Sequence, residues 1–104
     1  DMIWLRGTNV FPSAIEAVVR KLPGLTPEYQ IVINGEDGLA SLTIRAEHSA
    51  VNPSTAELSA LQERLDREIR EAIRVSAVIE IVAPGSLPRP DGRSKLRRVV
   101  DRRR

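Results

Sequence analysis

The stretch from Asn52 to Ile73 constrains this chain most. Leu58, Leu61, Leu65, Ile69, Ala72 and Ile73 recur at helical spacing and make one apolar stripe. Pro53 suits a first helical turn, and Ser54 with Glu57 offers a capping box, in which each side chain satisfies the other's backbone amide. Glu63 with Arg67 and Asp66 with Arg70 stand four residues apart on the opposite, wet face. A stripe this continuous needs an apolar surface to cover it. In a chain of 104 residues, that surface is expected to be a sheet sharing one core.

The remaining elements supply such a sheet. Ile3-Trp4-Leu5 reads as a short strand, broken at Arg6-Gly7-Thr8-Asn9. A first helix is expected to open on a Ser13/Glu16 capping box and to present Ile15, Val18, Val19 and Leu22 on one face, with Lys21 in its last turn and Pro23-Gly24 stopping it. Residues 29–33 read as a strand, 34–38 as a hairpin connection, and 39–46 as the return strand. His48, the only histidine, falls in the following loop; with no cysteine and no carboxylate cluster beside it, it reads as a solvent residue. Residues 77–82 form the last internal strand. The expected fold is α+β: a small, mostly antiparallel sheet with two helices on one face, in ferredoxin-like βαββαβ order, followed by a basic C-terminal loop or tail.

That tail dominates the charge. Residues 89–104 hold eight Arg or Lys against two acids, so +6 sits there and −4 on the remainder of a chain whose net charge is +2. Pro84, Pro88 and Pro90 with Gly85 and Gly92 exclude a helix through most of it. Lys21 and Lys95 are the only lysines, and Lys95 stands among arginines. A compact ammonium on a loop is suited to meeting a developing anion; the plain alternative is a solvated basic end. The absence of cysteine excludes disulfides and thiolate metal sites and fits a cytoplasmic protein. No apolar run reaches the roughly 20 residues of a membrane span, so no membrane partner is expected. The chain opens on a strand without an initiator methionine, and reads as a piece of a longer polypeptide.

Two stretches resemble a known family. Asp1-Met2-Ile3-Trp4-Leu5-Arg6-Gly7-Thr8-Asn9-Val10-Phe11-Pro12-Ser13-Ala14-Ile15-Glu16 is similar to the opening of the C-terminal domain of phenylacetate–CoA ligases, with the pattern D-M-(I/L)-x-x-R-G-x-N-V-F-P-x-x-I-E. Pro84-Gly85-Ser86-Leu87-Pro88-Arg89, followed by Lys95-Leu96-Arg97-Arg98-Val99-Val100-Asp101-Arg102-Arg103, is similar to the family's P-G-(S/T)-(I/L)-P-R…G-K-x-x-R-V-x-D-x-R ending. Aligned on Arg98 to Asp101, Ser94-Lys95 stands for Gly-Lys. Aligned on Gly92, Arg93 takes the lysine's place. The first alignment keeps a lysine and needs only a loop insertion, so Lys95 is the preferred candidate and Arg93 the alternative.

The resemblance implies a domain, residues 1–104, that serves as the mobile lid of a larger AMP-forming ligase whose N-terminal ATP- and acid-binding domain lies outside this chain. It implies ATP and coenzyme A as substrates, an aryl carboxylate with phenylacetate as the family default, and Mg2+ with ATP in the full-length enzyme rather than on this domain. Lys95 would span carboxylate and α-phosphate during adenylation. Gly7, flanked by Arg6 and Thr8, would let the pantetheine of coenzyme A pass. The isolated piece would be inactive, its partners being its own N-terminal domain and these small molecules, with a homodimer left open. Two other readings compete: a free-standing ferredoxin-like ligand-sensing or dimerisation module, and a nucleic-acid-binding module. The latter lacks stacking aromatics, since Trp4, Phe11 and Tyr29 are the only three.

Overall fold

The computed structural model describes residues 2–36, 39–89 and 98–103. Two short strands, β1 (Ile3–Leu5) and β2 (Thr8–Val10), form a hairpin, and α1 (Pro12–Lys21) follows. A long hairpin of β3 (Leu25–Glu36) and β4 (Leu39–His48) leads to α2 (Thr55–Ile73), then β5 (Val78–Val82) and β6 (Val99–Arg103). The main sheet has the order β5-β4-β3-β6.

Alternation on the strands decides which face is covered. Ile31 and Ile33 of β3, Leu42, Ile44 and Ala46 of β4, and Ile79 of β5 point to one side and are buried. Both helices pack there through Ile15, Val18 and Val19 and through Leu65, Ile69 and Ile73, and the β1–β2 hairpin adds Ile3, Leu5 and Val10. Each such aliphatic side chain removed from water contributes about 1.5–3 kcal/mol. On the other face Gln30, Arg45 and Glu80 stand side by side on three adjacent strands. Arg45 joins them, its Nη1 3.1 Å from Gln30 Oε1 and its Nε 3.2 Å from Glu80 Oε1.

The α+β class, with both helices on one face, is as expected, but the sheet departs from the expected pattern. It is mixed rather than mostly antiparallel: β3–β4 is antiparallel, whereas β4–β5 and β3–β6 are parallel. Parallel neighbours need a crossover between them, and α2 provides it for β4 and β5. Among the described residues the first strand stays out of this sheet and pairs with β2, and the basic tail contributes the fourth strand in its place. Asn34, Gly35 and Glu36 extend β3 rather than forming the turn; residues 37 and 38 lie outside the described residues.

The Ser54/Glu57 capping box forms, at 3.1 and 3.0 Å. The Ser13/Glu16 box does not. Pro12 starts the helix two residues earlier than that box requires, with Phe11 as the cap, so Ser13 is already inside. Glu16 instead accepts from the Tyr29 hydroxyl at 2.9 Å and pairs with Arg20. On α2, Asp66 and Arg70 meet at 3.3 Å while Glu63 and Arg67 form no such pair, and Ala72 is exposed beside the buried stripe. Lys21 pairs with Glu68 at 3.1 Å, tying α1 to α2.

Gly35 faces Arg103 of β6 in register, and a Cβ there would lie 2.9 Å from Arg103 Cγ and 3.3 Å from its Cβ. These atoms are near the root of the side chain and cannot swing aside. Gly35→Val should therefore destabilise the chain by about 1–3 kcal/mol despite valine's preference for strands, measured as a lowered midpoint in urea. An unchanged or raised midpoint would show that β6 does not press on β3 at this point.

Candidate functional site

The segment after β5 folds back over the sheet. Ala83 to Ser86 make a turn in which the Ser86 amide and hydroxyl both donate to the Ala83 carbonyl, at 3.1 and 2.6 Å. Gly85 takes φ +85° there, a conformation that costs glycine little. Leu87 is buried and anchors the turn.

This turn aims donors at one side chain. Glu47, near the end of β4, is fully buried. Its Oε2 accepts from the Leu87 amide at 2.9 Å. Its Oε1 accepts from the Gly85 amide at 3.2 Å, from the Thr26 hydroxyl at 3.3 Å and from Arg89 Nη2 at 2.8 Å. Burial pushes the carboxyl's pKa up. The amides of Leu87 and Gly85 and the Arg89 guanidinium outweigh that and hold it below the ordinary carboxylate value.

A second carboxylate extends the arrangement. Arg89 also reaches Glu28, with Nη1 3.5 Å from Oε2. Glu28 in turn holds Arg98, with Oε1 3.2 Å from Nη1. Arg98 Nη1 donates to the Tyr29 carbonyl at 3.3 Å, its guanidinium lies 4.7 Å from the Tyr29 ring centroid, and its own carbonyl accepts from the Ile31 amide at 2.7 Å. Glu47, Arg89, Glu28 and Arg98 thus form a chain of alternating charge across the end of the sheet. Tyr29, beneath Arg98, has its hydroxyl pKa pushed up to about 12 by burial and by the hydrogen bond to Glu16.

Lys95 and its alternative Arg93 lie outside the described residues. Arg89 and Arg98 are the described residues that bracket them, and the charge chain holds both. The basic tail is therefore not simply solvated: Arg89 and Arg98 turn inward to carboxylates, and Arg103 pairs with Asp101 at 2.7 Å.

Arg6, Gly7 and Thr8 are brought together at the tip of the first hairpin. Arg6 (φ 46°) and Gly7 (φ 78°) form its two-residue loop between Leu5 and Thr8, and positive φ at both positions is what a tight type I′ hairpin requires. A Cβ on Gly7 would meet nothing within 4 Å, so this domain's own packing leaves the space beside it free. Arg103 links the hairpin to the tail strand, its Nη1 donating to the Trp4 carbonyl at 2.9 Å.

His48 is not a solvent residue. It ends β4, opposite Leu25, and is buried; its Nδ1 has no hydrogen-bond partner among the described residues. With Pro23, Gly24, Leu58, Leu61 and Arg64 it lines a cavity of about 300 Å³. Among the described residues no group of three or more His, Asp or Glu could hold a metal ion, and no helix is long and apolar enough to cross a membrane.

Glu47 and Glu28 are the residues that sequence reasoning missed. Glu47 stands out of phase with Leu42, Ile44 and Ala46, which marks a wet-face position, and its partners lie about forty residues onward in the chain. The one available signal was an acid at a strand end in a chain whose later proline-rich segment carries arginine.

The family described as AMP-binding enzyme C-terminal domain matches residues 7–103. The chain is 35% identical, over its whole length, to a phenylacetate-coenzyme A ligase of Thermus thermophilus, and spans about a quarter (26%) of that protein. It superposes on a domain of phenylacetate-coenzyme A ligase from Bacteroides vulgatus with a TM-score of 0.86 at 28% identity, covering 100% of this chain and 94% of that one. It superposes on part of a 2-hydroxyisobutyryl-CoA ligase, solved with 2-HIB-AMP and CoA in the thioesterification state, with a TM-score of 0.88 at 34% identity, covering 99% of this chain and 21% of that one.

Replacing Glu47 by Gln puts an amide NH2 against donors and leaves part of the cluster unsatisfied, which should destabilise the chain by about 1–3 kcal/mol at neutral pH. Because the folded carboxyl titrates below its unfolded value of about 4.3, its contribution is whole above that value and is lost as pH falls through the folded one. Denaturant titrations of both proteins should accordingly converge in acid and stay parallel from pH 6 to 8. Convergence toward alkaline pH instead would contradict a depressed carboxylate.

Proposed function

The chain belongs to the AMP-binding enzyme C-terminal domain family, and from that premise we propose that it is the C-terminal domain of a longer AMP-forming aryl-acid–CoA ligase, with phenylacetate as the acid. The observation that carries this reading is the match of the whole chain to phenylacetate–CoA ligases, together with the way Pro84 to Arg89 is folded against Glu47.

In the proposed reaction a carboxylate oxygen attacks the α-phosphorus of ATP and the bond to the β-phosphate breaks, releasing diphosphate and leaving an acyl-adenylate. The thiol of coenzyme A, losing its proton, then attacks the acyl carbon, and AMP departs. Lys95 serves the first step by neutralising charge between carboxylate and α-phosphate. The hairpin tip serves the second: Gly7 leaves room for pantetheine, and Arg6 and Thr8 flank its path. The nucleotide, the acid and Mg2+ bind on the N-terminal domain, which is this domain's partner, so the chain alone carries no ligase activity. The reading places the enzyme in the cytoplasm and leaves a homodimer compatible with it.

In the full-length protein Lys95→Ala should slow diphosphate release about 10²–10³-fold and leave thioester formation from supplied acyl-adenylate nearly intact. Arg93→Ala should do much less. A reversal of these two results would assign the cation to Arg93. Gly7→Asn provides a separate check, because Asn tolerates positive φ yet fills the space at the tip. It should slow thioester formation with adenylation and thermal stability little changed; equal loss in both half-reactions would remove Gly7 from the coenzyme A path.

A further inference from the structure

We propose that the cavity lined by His48 and Arg64 is a binding site for a small organic monocarboxylate. It opens between the N-terminal half of α2 and the loops at Pro23-Gly24 and Ala50 to Pro53. Three observations carry this.

The first is an unanswered polar atom. His48 is only 8% exposed, and its buried Nδ1 has no hydrogen-bond partner among the described residues. A buried polar atom in that state costs stability, and native structures hold few of them without a ligand, a water or a chemical duty behind them. The imidazole forms part of the cavity wall, and the cavity is where a partner can come from.

The second is the character of the space. Its volume of about 300 Å³ is at the lower end of the range for ligand pockets. Pro23, Pro53, Leu58 and Leu61 give it aliphatic walls, which suit a short hydrocarbon body. Leu61 also brings the two polar residues together. Arg64 stands one helical turn beyond it on the same face of α2. His48 comes to it through Gly24, whose carbonyl accepts from the Ser49 amide at 2.9 Å and whose Cβ position would lie 3.4 Å from Leu61 Cδ1.

The third is charge. Arg64 is exposed and takes part in no ion pair among the described residues, whereas Arg20 and Arg70 on the helix surfaces are both paired. Glu57, the other charged residue of the lining, has its Oε1 on the Ser54 amide at 3.0 Å and stands seven residues back along α2, about 10 Å away along the axis. The cavity thus has a cation toward one end and an anion toward the other. A single carboxylate is drawn to Arg64 and to the ring nitrogen of His48, and its hydrocarbon tail runs toward Leu58 and Pro53. A second carboxylate would arrive at Glu57, so a dicarboxylate is disfavoured.

The test uses the full-length protein, with pentanoate as the probe and ligand-observed NMR titration as the readout. The quantity read is the part of the binding that Leu61→Phe, which fills the cavity, removes; an acid-binding place elsewhere in the protein then drops out. That part should show a Kd of about 0.1–1 mM. Arg64→Gln should weaken it by about tenfold or more. His48→Leu should weaken it by about tenfold while leaving the thermal midpoint of the ligand-free protein unchanged or raised, because it removes a buried nitrogen that the described residues leave unpaired. Glutarate, of the same chain length, should bind about tenfold more weakly than pentanoate.

If Leu61→Phe, shown folded by a thermal melt, removes no binding, or if binding is indifferent to Arg64→Gln or to His48→Leu, the proposal is overturned. A lowered midpoint in His48→Leu with pentanoate binding intact would likewise sink it, and would leave Nδ1 to a bound water alone. Where His48→Leu lowers midpoint and binding together, Arg64→Gln at its exposed position decides. Glutarate binding as tightly as pentanoate would overturn the assignment of a monocarboxylate.

Discussion

A carboxylate taken out of water must find donors or cease to be charged, and Glu47 draws its donors from a stretch of chain about forty residues away. Much of the architecture follows from that requirement. After β5, at one edge of the sheet, the chain meets Glu47 on β4, then Glu28 on β3, and arrives beside β3 as β6 at the other edge. The order in which the tail meets its carboxylates repeats the order of the strands. The acids thus mark a route across the sheet, with Arg89 and Arg98 set against them.

The tail's arrival as β6 also ties the two ends of the chain together. Asp101 orients Arg103, Arg103 lies over the space left by Gly35, and its guanidinium reaches the carbonyl of Trp4 in the first hairpin. The first hairpin, with Gly7 at its tip, is therefore tied to the strand on which the tail ends. Met2, Trp4 and Phe11 remain exposed on the outer side of that hairpin, while Ile3, Leu5 and Val10 on its inner side join the core.

Several elements could be read directly from residue spacing. The stripe on α2, its Ser54/Glu57 cap and the buried side of the β3–β4 pair depend on contacts three or four residues apart, or on strict alternation, so they are written locally. The readings that failed depended on something distant. Glu47 looks like a wet-face position because alternation identifies a covered face only while one face is covered, and at the end of β4 the returning tail covers the second face through Gly85, Leu87 and Arg89. His48 continues the covered phase of Leu42, Ile44 and Ala46 and looks like a loop residue only because the strand runs two residues beyond Ala46, so Ala46, Glu47 and His48 are buried in succession. The Ser13/Glu16 box failed more locally, through a proline that starts the helix on its own terms.

Family membership, the two helices and their inward faces, the turn glycines and the separation of a basic end from an acidic body were determined by the sequence alone, because each rests on residue type and short-range spacing. The mixed strand order, the recruitment of the tail as a fourth strand and the choice of Glu47 and Glu28 as its anchors were decided by the tertiary structure. An ion pair between residues forty or seventy positions apart has no local signature: each partner alone is an ordinary surface charge, and only the fold that buries one of them makes the other necessary.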